Sequence, residues 1–228
     1  MIRLKSLAVL SALALSACGG TGAASPPPAI IQASPMPDPR YGLIVYTGDD
    51  LVSLGCDAAY NQPWPPFQSD TPNGVCSSTR GETSVQTLAR LPAVLALHPK
   101  VLVILTGLND IRDGSASTEA IISMVIEAQA QGVIVIVCTL PTSAGLDADI
   151  QRWNASIREI AHSFGAQLSD LYAGIANPAS VVDVATFNPW LESAQLMDPE
   201  GVYPSAAGYL VIWDVICVPV EKDGVVAP

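Results

Sequence analysis

The sequence predicts an α/β protein, a three-layer α/β/α sandwich around a central parallel sheet. Three observations carry that expectation. Short continuous apolar runs, such as Val101–Leu105, suit strands buried on both faces of a parallel sheet. Between them lie longer stretches whose apolar residues recur at helical spacing, so strand and helix alternate along the chain. Finally, 228 residues of which 50% are hydrophobic suffice for one domain with a full core, and no internal repeat is present. Such an alternation winds through right-handed crossovers, and ligands in these folds sit beyond the carboxyl ends of the strands.

The elements follow in order. Residues 1–17 carry Arg3 and Lys5 ahead of an apolar run from Leu7 to Leu15, the pattern of an export signal too short to span a bilayer. The segment Leu15-Ser16-Ala17-Cys18-Gly19 resembles the bacterial lipobox, which implies a lipidated Cys18 at the mature N-terminus. An ordinary cleaved signal that ends near a cysteine is the plainer alternative. Gly19 resembles the residue that directs such proteins to the outer membrane, where they face the periplasm. Several acyl chains would give stable anchoring, since one alone is marginal. Residues 18–40, rich in Ala, Ser and Pro, read as a flexible tether, followed by a domain at 41–220 and a tail at 221–228.

Within the domain the first strand is expected over Tyr41–Tyr46, ended by Thr47 and Gly48. The stretch from Cys56 to Cys76 is irregular, with Tyr60, Trp64 and Phe67 among several prolines. In an oxidising compartment a Cys56–Cys76 bridge is expected to close it. The three aromatic side chains are either the rim of a ligand pocket or packing within the loop. Helix Thr83–Leu91, strand Val101–Leu105, helix Thr118–Gln131 and strand Val133–Val137 come next. The second of these helices places Ile121, Ile122, Val125 and Ile126 on one side. Asp149–Phe164 is a helix burying Ile150, Trp153, Ile157, Ile160 and Ala161; a weaker strand, Gln167–Leu171, follows. Ala206–Val218 reads as a terminal core helix, interrupted by Trp213-Asp214 and short for a membrane span. Cys138 at a strand end and Cys217 in that helix read as buried thiols, with no pairing assigned.

Charge removes further possibilities. The formal net charge is −11, and loss of the signal, which carries two cations and no acid, takes it to −13. A phosphate-tracking nucleic-acid binder needs the opposite surface. Only two histidines, His98 and His162, occur in the chain, little material for a His-based metal site, and no cofactor is expected. His98 precedes a strand at the sheet edge away from the site and His162 lies within a helix; both read as structural or surface residues.

Four segments fall where this fold places its site. They are Val45-Tyr46-Thr47-Gly48-Asp49-Asp50-Leu51, Arg80-Gly81-Glu82-Thr83, Thr106-Gly107-Leu108-Asn109-Asp110, and Glu200-Gly201-Val202-Tyr203-Pro204 continuing as Ser205-Ala206-Ala207-Gly208-Tyr209. In order and spacing they resemble the four blocks of the SGNH (GDSL-type) hydrolases, a flavodoxin-like family of esterases and lipases, over about Tyr41 to Val218. The resemblance implies a serine nucleophile in the first block, an oxyanion hole from a glycine N–H in the second and an asparagine amide in the third, and an aspartate and a histidine base in the last. Gly81 and Asn109 match. The serine position holds Asp50, the aspartate position Glu200 and the histidine position Tyr203. Asp49 and Asp110 follow the family pattern and are expected to hydrogen-bond loop backbone.

These substitutions have chemical consequences. Serine-route acyl transfer needs a base with a pKa near 7, and a tyrosine titrates at about 10, so a phenol there is a poor proton acceptor. A carboxylate at position 50 is expected to fill the donors of Gly81 and Asn109 with its own charge. An aspartyl ester would in turn need base-activated water. Asp50 is also a candidate N-cap for the helix after it. Ser53, Ser84 and Ser205 lack both a sharp strand-to-helix turn and a base, so a displaced nucleophile is not expected. Three readings remain open: a lipid-anchored, non-hydrolytic protein that binds a small molecule, glycan or acylated envelope component; a hydrolase of an ester or glycan that uses Asp50 and Glu200 as a carboxylate pair, or holds a divalent cation between them and Asn109; and an architectural envelope lipoprotein.

Overall fold

The computed structural model describes residues 42–57, 73–176, 196–209, 211–212 and 215–216. Five parallel strands form one sheet: β1 (Ile44–Gly48), β2 (Gly74–Ser78), β3 (Val101–Leu105), β4 (Ile134–Cys138) and β5 (Gln167–Ser169). Their spatial order is β2-β1-β3-β4-β5. Helices α1 (Asp50–Gly55), α2 (Ser84–Leu95), α3 (Leu108–Arg112), α4 (Glu119–Ala130), α5 (Asp147–Phe164) and α6 (Leu171–Ala176) alternate with the strands. Residues 206–209, 211–212 and 215–216 are helical, within the expected C-terminal helix. Among the described residues no helix is long and apolar enough to cross a membrane.

This is the α/β sandwich the sequence predicts. β1 and β3 are buried at every position, as strands covered on both faces must be. The chain runs from β1 outward to β2, then returns to lay β3 on the other side of β1. That reversal makes the carboxyl ends of β1 and β3 a topological switch point, and in such sheets the crevice outside those ends is the usual ligand position. Gly48 is the residue that lets the two strand ends meet. It pairs with Leu105, and a Cβ there would collide with the Leu105 carbonyl.

Several expectations need correction. β2 lies partly within the stretch read as irregular, and Cys76 is its central residue. It is an edge strand of sequence GVCSS, half-buried, with no apolar run to betray it. The first strand begins and ends later than expected, at Ile44 and Gly48, and β4 is shifted by one residue. The weak fourth run stops at Ser169, because Leu171 opens α6. α2 continues through Pro92 to Leu95, since Leu91, Val94 and Leu95 are all buried. α5 starts two residues earlier than expected, at Asp147. On α4 the buried stripe is Ala120, Ile121, Met124, Val125 and Ala128, and Ile126 is exposed rather than sharing that face.

Other expectations hold. Ile150, Trp153, Ile157, Ile160 and Ala161 of α5 are buried. The Cys56–Cys76 disulfide is present, with Cα atoms 6.4 Å apart, and joins the end of α1 to β2. Cys138 is a buried free thiol that burial pushes up to about 12, which leaves it inert as a nucleophile. Cys217, Cys18 and the aromatic residues Tyr60, Trp64 and Phe67 lie outside the described residues.

Candidate active site

The crevice is built on Asp49. Directly after β1, this fully buried carboxylate accepts from Leu51 N–H (3.1 Å), Gly107 N–H (3.0 Å) and Leu108 N–H (3.2 Å). It therefore caps α1 and ties the end of β1 to the turn after β3. The cap belongs to Asp49, so the expectation that Asp50 fills that role is wrong. Burial pushes Asp49 up to about 7, against the lowering effect of its backbone donors and with a further rise from the charge of Asp50. Gly107 takes φ of +124°, and a Cβ there would run into the indole of Trp153. Glycine is thus needed twice over where the turn packs against α5.

Asp110 and Arg90 hold the second block. Asp110 accepts from Ser84 N–H (2.8 Å) and the Ser84 hydroxyl (2.6 Å), which puts a carboxylate at the N-terminus of α2. Arg90 donates to both Glu82 carboxylate oxygens, to the Ser77 carbonyl and hydroxyl, and to the Gly48 carbonyl at 3.3 Å. One guanidinium therefore fastens the ends of β1 and β2 to the loop carrying Gly81 and Glu82. Asp49 binds loop backbone at Gly107 as expected, whereas the backbone donor to Asp110 is the first residue of α2.

Above this base, Asp50 lies at the first position of α1, with its carboxylate turned to the neighbouring loops. Its Oδ2 accepts from Gly81 N–H at 3.1 Å and from Asn109 Nδ2 at 2.6 Å. These are the two donors that the family resemblance assigns to an oxyanion hole, and one carboxylate oxygen takes both. Asn109 Nδ2 also donates to the Glu82 carbonyl (2.9 Å), so two acceptors fix its amide orientation and turn Oδ1 toward Arg112 (3.5 Å). A side chain that offers Asp50 a donor is unsuited to sharing a cation with it.

Arg112 is a residue the sequence reading missed. It follows Asn109 by three positions, one helical turn later, which is the signal that could have drawn attention to it. Its Nη1 donates to the Tyr203 hydroxyl at 2.8 Å, and its Cζ lies 5.1 Å from the Tyr203 ring centroid. Through Arg112 the third block meets the last, so Tyr203 is brought to the same mouth as Asp50 and Asn109.

Glu200 goes elsewhere. It stands exposed on a turn in which Asp198 accepts from Val202 N–H and the Asp198 N–H donates to the Tyr203 carbonyl. It lines an open cleft of about 770 Å³ with Thr142, Asp147, Tyr172, Leu196 and Asp198, a cleft that includes neither Asp50, Gly81 nor Asn109. In it, Gln151, Thr142 and Tyr172 hydrogen-bond Asp147 and hold it below the usual carboxylate range. No hydrogen bond among the described residues joins Glu200 to Asp50, Gly81 or Asn109. Each alternative serine is bound into the scaffold: the hydroxyl of Ser53 contacts that of Ser78, Ser84 serves Asp110, and Ser205 accepts from Gly208 N–H. His98 and His162 are both exposed.

Comparison with known proteins follows the same line. The model of the GDSL-like lipase/acylhydrolase family matches residues 47–211. A GDSL-like lipase from Bacteroides thetaiotaomicron is 22% identical, covering 84% of this chain and 93% of its own, with a TM-score of 0.65. An acetylxylan esterase from Geobacillus stearothermophilus is 15% identical, covering 80% and 94%, with a TM-score of 0.59. A psychrotrophic esterase from Pseudoalteromonas is 19% identical, covering 79% and 97%, also with a TM-score of 0.59. At such identities the structures share the fold alone. No curated protein matches the sequence. The family match spans most of the domain and all four blocks, and this chain belongs to the GDSL-like lipase/acylhydrolase family.

Proposed function

We propose that this protein is an exported, lipid-anchored member of the family that holds a ligand at the cell envelope without hydrolysing it. One observation carries the reading: Asp50 Oδ2 occupies both Gly81 N–H and Asn109 Nδ2. Ester cleavage needs such donors free for the negative charge that develops in the transition state. Here the Asp50 carboxylate already takes them, so an incoming carbonyl finds both donors occupied. Position 203 offers a phenol in place of a base, and neither exposed histidine replaces it. Among the structural neighbours are a lipase and an acetylxylan esterase, names that agree with a glycan or acylated envelope component as ligand. The signal at residues 1–17 and the lipobox-like segment at Cys18 support attachment to the outer membrane, facing the periplasm. Cys18→Ala should release the protein from the membrane fraction.

Turnover of a short-chain aryl ester by the full chain is the test. Rates at the buffer background are expected. Robust hydrolysis that Asn109→Ala abolishes would overturn the reading. The triple variant Asp50→Ser, Glu200→Asp, Tyr203→His is expected to gain esterase activity, because it frees the Gly81 and Asn109 donors and returns a base at position 203.

A further inference from the structure

We propose that the mouth of the crevice is a subsite for a neutral, hydroxyl-rich ligand, a sugar ring of a glycan, held between Asp50 and Arg112 beside Tyr203. The inference rests on the reading above, in which Asp50 occupies the donor pair. Four side chains form a continuous polar chain there. Asp50 Oδ2 meets Asn109 Nδ2 at 2.6 Å, Asn109 Oδ1 faces Arg112 Nη1 at 3.5 Å, and Arg112 Nη1 reaches the Tyr203 hydroxyl at 2.8 Å. A carboxylate and a guanidinium thus stand at the two ends of one amide.

What these groups leave unspent defines the ligand. Asp50 Oδ1 has no partner among the described residues, nor have the Nε and Nη2 donors of Arg112. The Tyr203 hydroxyl accepts from Arg112 and keeps its own proton to donate. Arg112 is also unlike its fellows. Arg80, Arg90, Arg152 and Arg158 each pair with a carboxylate, and among the described residues Arg112 pairs with none.

Chemistry then selects among ligand classes. An anion on Arg112 would lie next to Asp50 in a chain of net charge −11. A cation on Asp50 would lie next to Arg112. An ester carbonyl only accepts, finds the Gly81 and Asn109 donors taken, and gives Asp50 Oδ1 nothing. A hydroxyl both donates and accepts. Adjacent ring hydroxyls can therefore donate to Asp50 Oδ1 and accept from the Arg112 fork, with the Tyr203 phenol available to a third. A zwitterion with its ammonium at Asp50 and its carboxylate at Arg112 is the one competitor that matches both ends.

Saturation-transfer NMR on the full chain tests this, with neutral hexaoses of xylose, glucose and N-acetylglucosamine as probes and glycine and acetate as controls. At least one hexaose should show transfer in the millimolar range or tighter, with neither control displacing it. Arg112→Ala should weaken that binding by about tenfold, and Arg112→Lys should restore only part, because an ammonium lacks the fork. Tyr203→Phe should weaken it less, since the ring stays. Arg112 is exposed, so these variants should melt as the parent does. Transfer to no hexaose, displacement by glycine or acetate, or unchanged binding by Arg112→Ala would overturn the proposal. A protein that is inert toward esters and binds no sugar loses this inference alone. One that hydrolyses esters through Asn109 loses the function proposed above.

Discussion

Asp49 and Asp50 are sequence neighbours on opposite sides of a boundary through the site. Below it, Asp49, Asp110 and Arg90 serve the scaffold: three backbone N–H groups on Asp49, the N-terminus of α2 on Asp110, two strand ends and the Glu82 loop on Arg90. Above it, Asp50 and Tyr203 are joined to one another through Asn109 and Arg112. The difference teaches that one step along the chain separates a carboxylate that holds the fold together from one that faces the site. The frame is paid for by folding, and the mouth is not. Mutations should therefore separate the two regions sharply.

The largest loss is expected beneath the boundary. Asp49→Ala should cost about 4 kcal/mol in urea unfolding, because three buried N–H donors lose their acceptor together. The raised pKa of Asp49 adds a pH signature. The folded state keeps this proton up to about 7, whereas the unfolded chain releases it near 3.8, so the group's contribution to stability falls as pH rises between those values. Relative to Asp49→Asn, the parent should therefore lose up to about 4 kcal/mol between pH 4 and 7.5, visible as converging or crossing urea midpoints.

Gly107→Ala comes next, at about 3 kcal/mol, from a backbone at φ +124° and collision with Trp153. Cys56→Ala opens a loop of sequence separation 20 and should cost roughly 3 kcal/mol in thermal or urea unfolding. Least affected is the mouth. Asp50→Ala should change stability by under about 1 kcal/mol, since Gly81 is exposed to water and the Asn109 amide keeps the Glu82 carbonyl as an acceptor. A loss as large as that of Asp49→Ala would erase the boundary.

Much of this was legible in the sequence, for physical reasons that differ by element. β3 and β4 announced themselves as continuous apolar runs and β1 through Ile44, Val45 and Tyr46, because strands covered on both faces are largely apolar. β2 stayed hidden because an edge strand of Gly, Val, Cys and Ser carries neither a run nor a clean alternation. The four blocks located the crevice, and the chemistry of a carboxylate at position 50 led to its contact with Gly81 and Asn109. Two things needed coordinates. The cap went to Asp49 rather than Asp50, a choice set by backbone geometry one residue wide. The contact of Arg112 with Tyr203, which extends the link from Asn109, joins residues 91 positions apart, and no local pattern encodes it. Nor does the pattern tell that Glu200 lines a cleft beside Asp147 and Tyr172, away from Asp50.

The central claim is that Asp50 occupies the donors of Gly81 and Asn109. Proton–nitrogen correlation spectra of the parent and Asp50→Ala test it most directly. The Gly81 backbone amide and the Asn109 side-chain amide should both move upfield in the variant, and the Gly81 amide should exchange faster with solvent, as both lose a charged acceptor. Spectra in which both signals keep their positions would contradict the account.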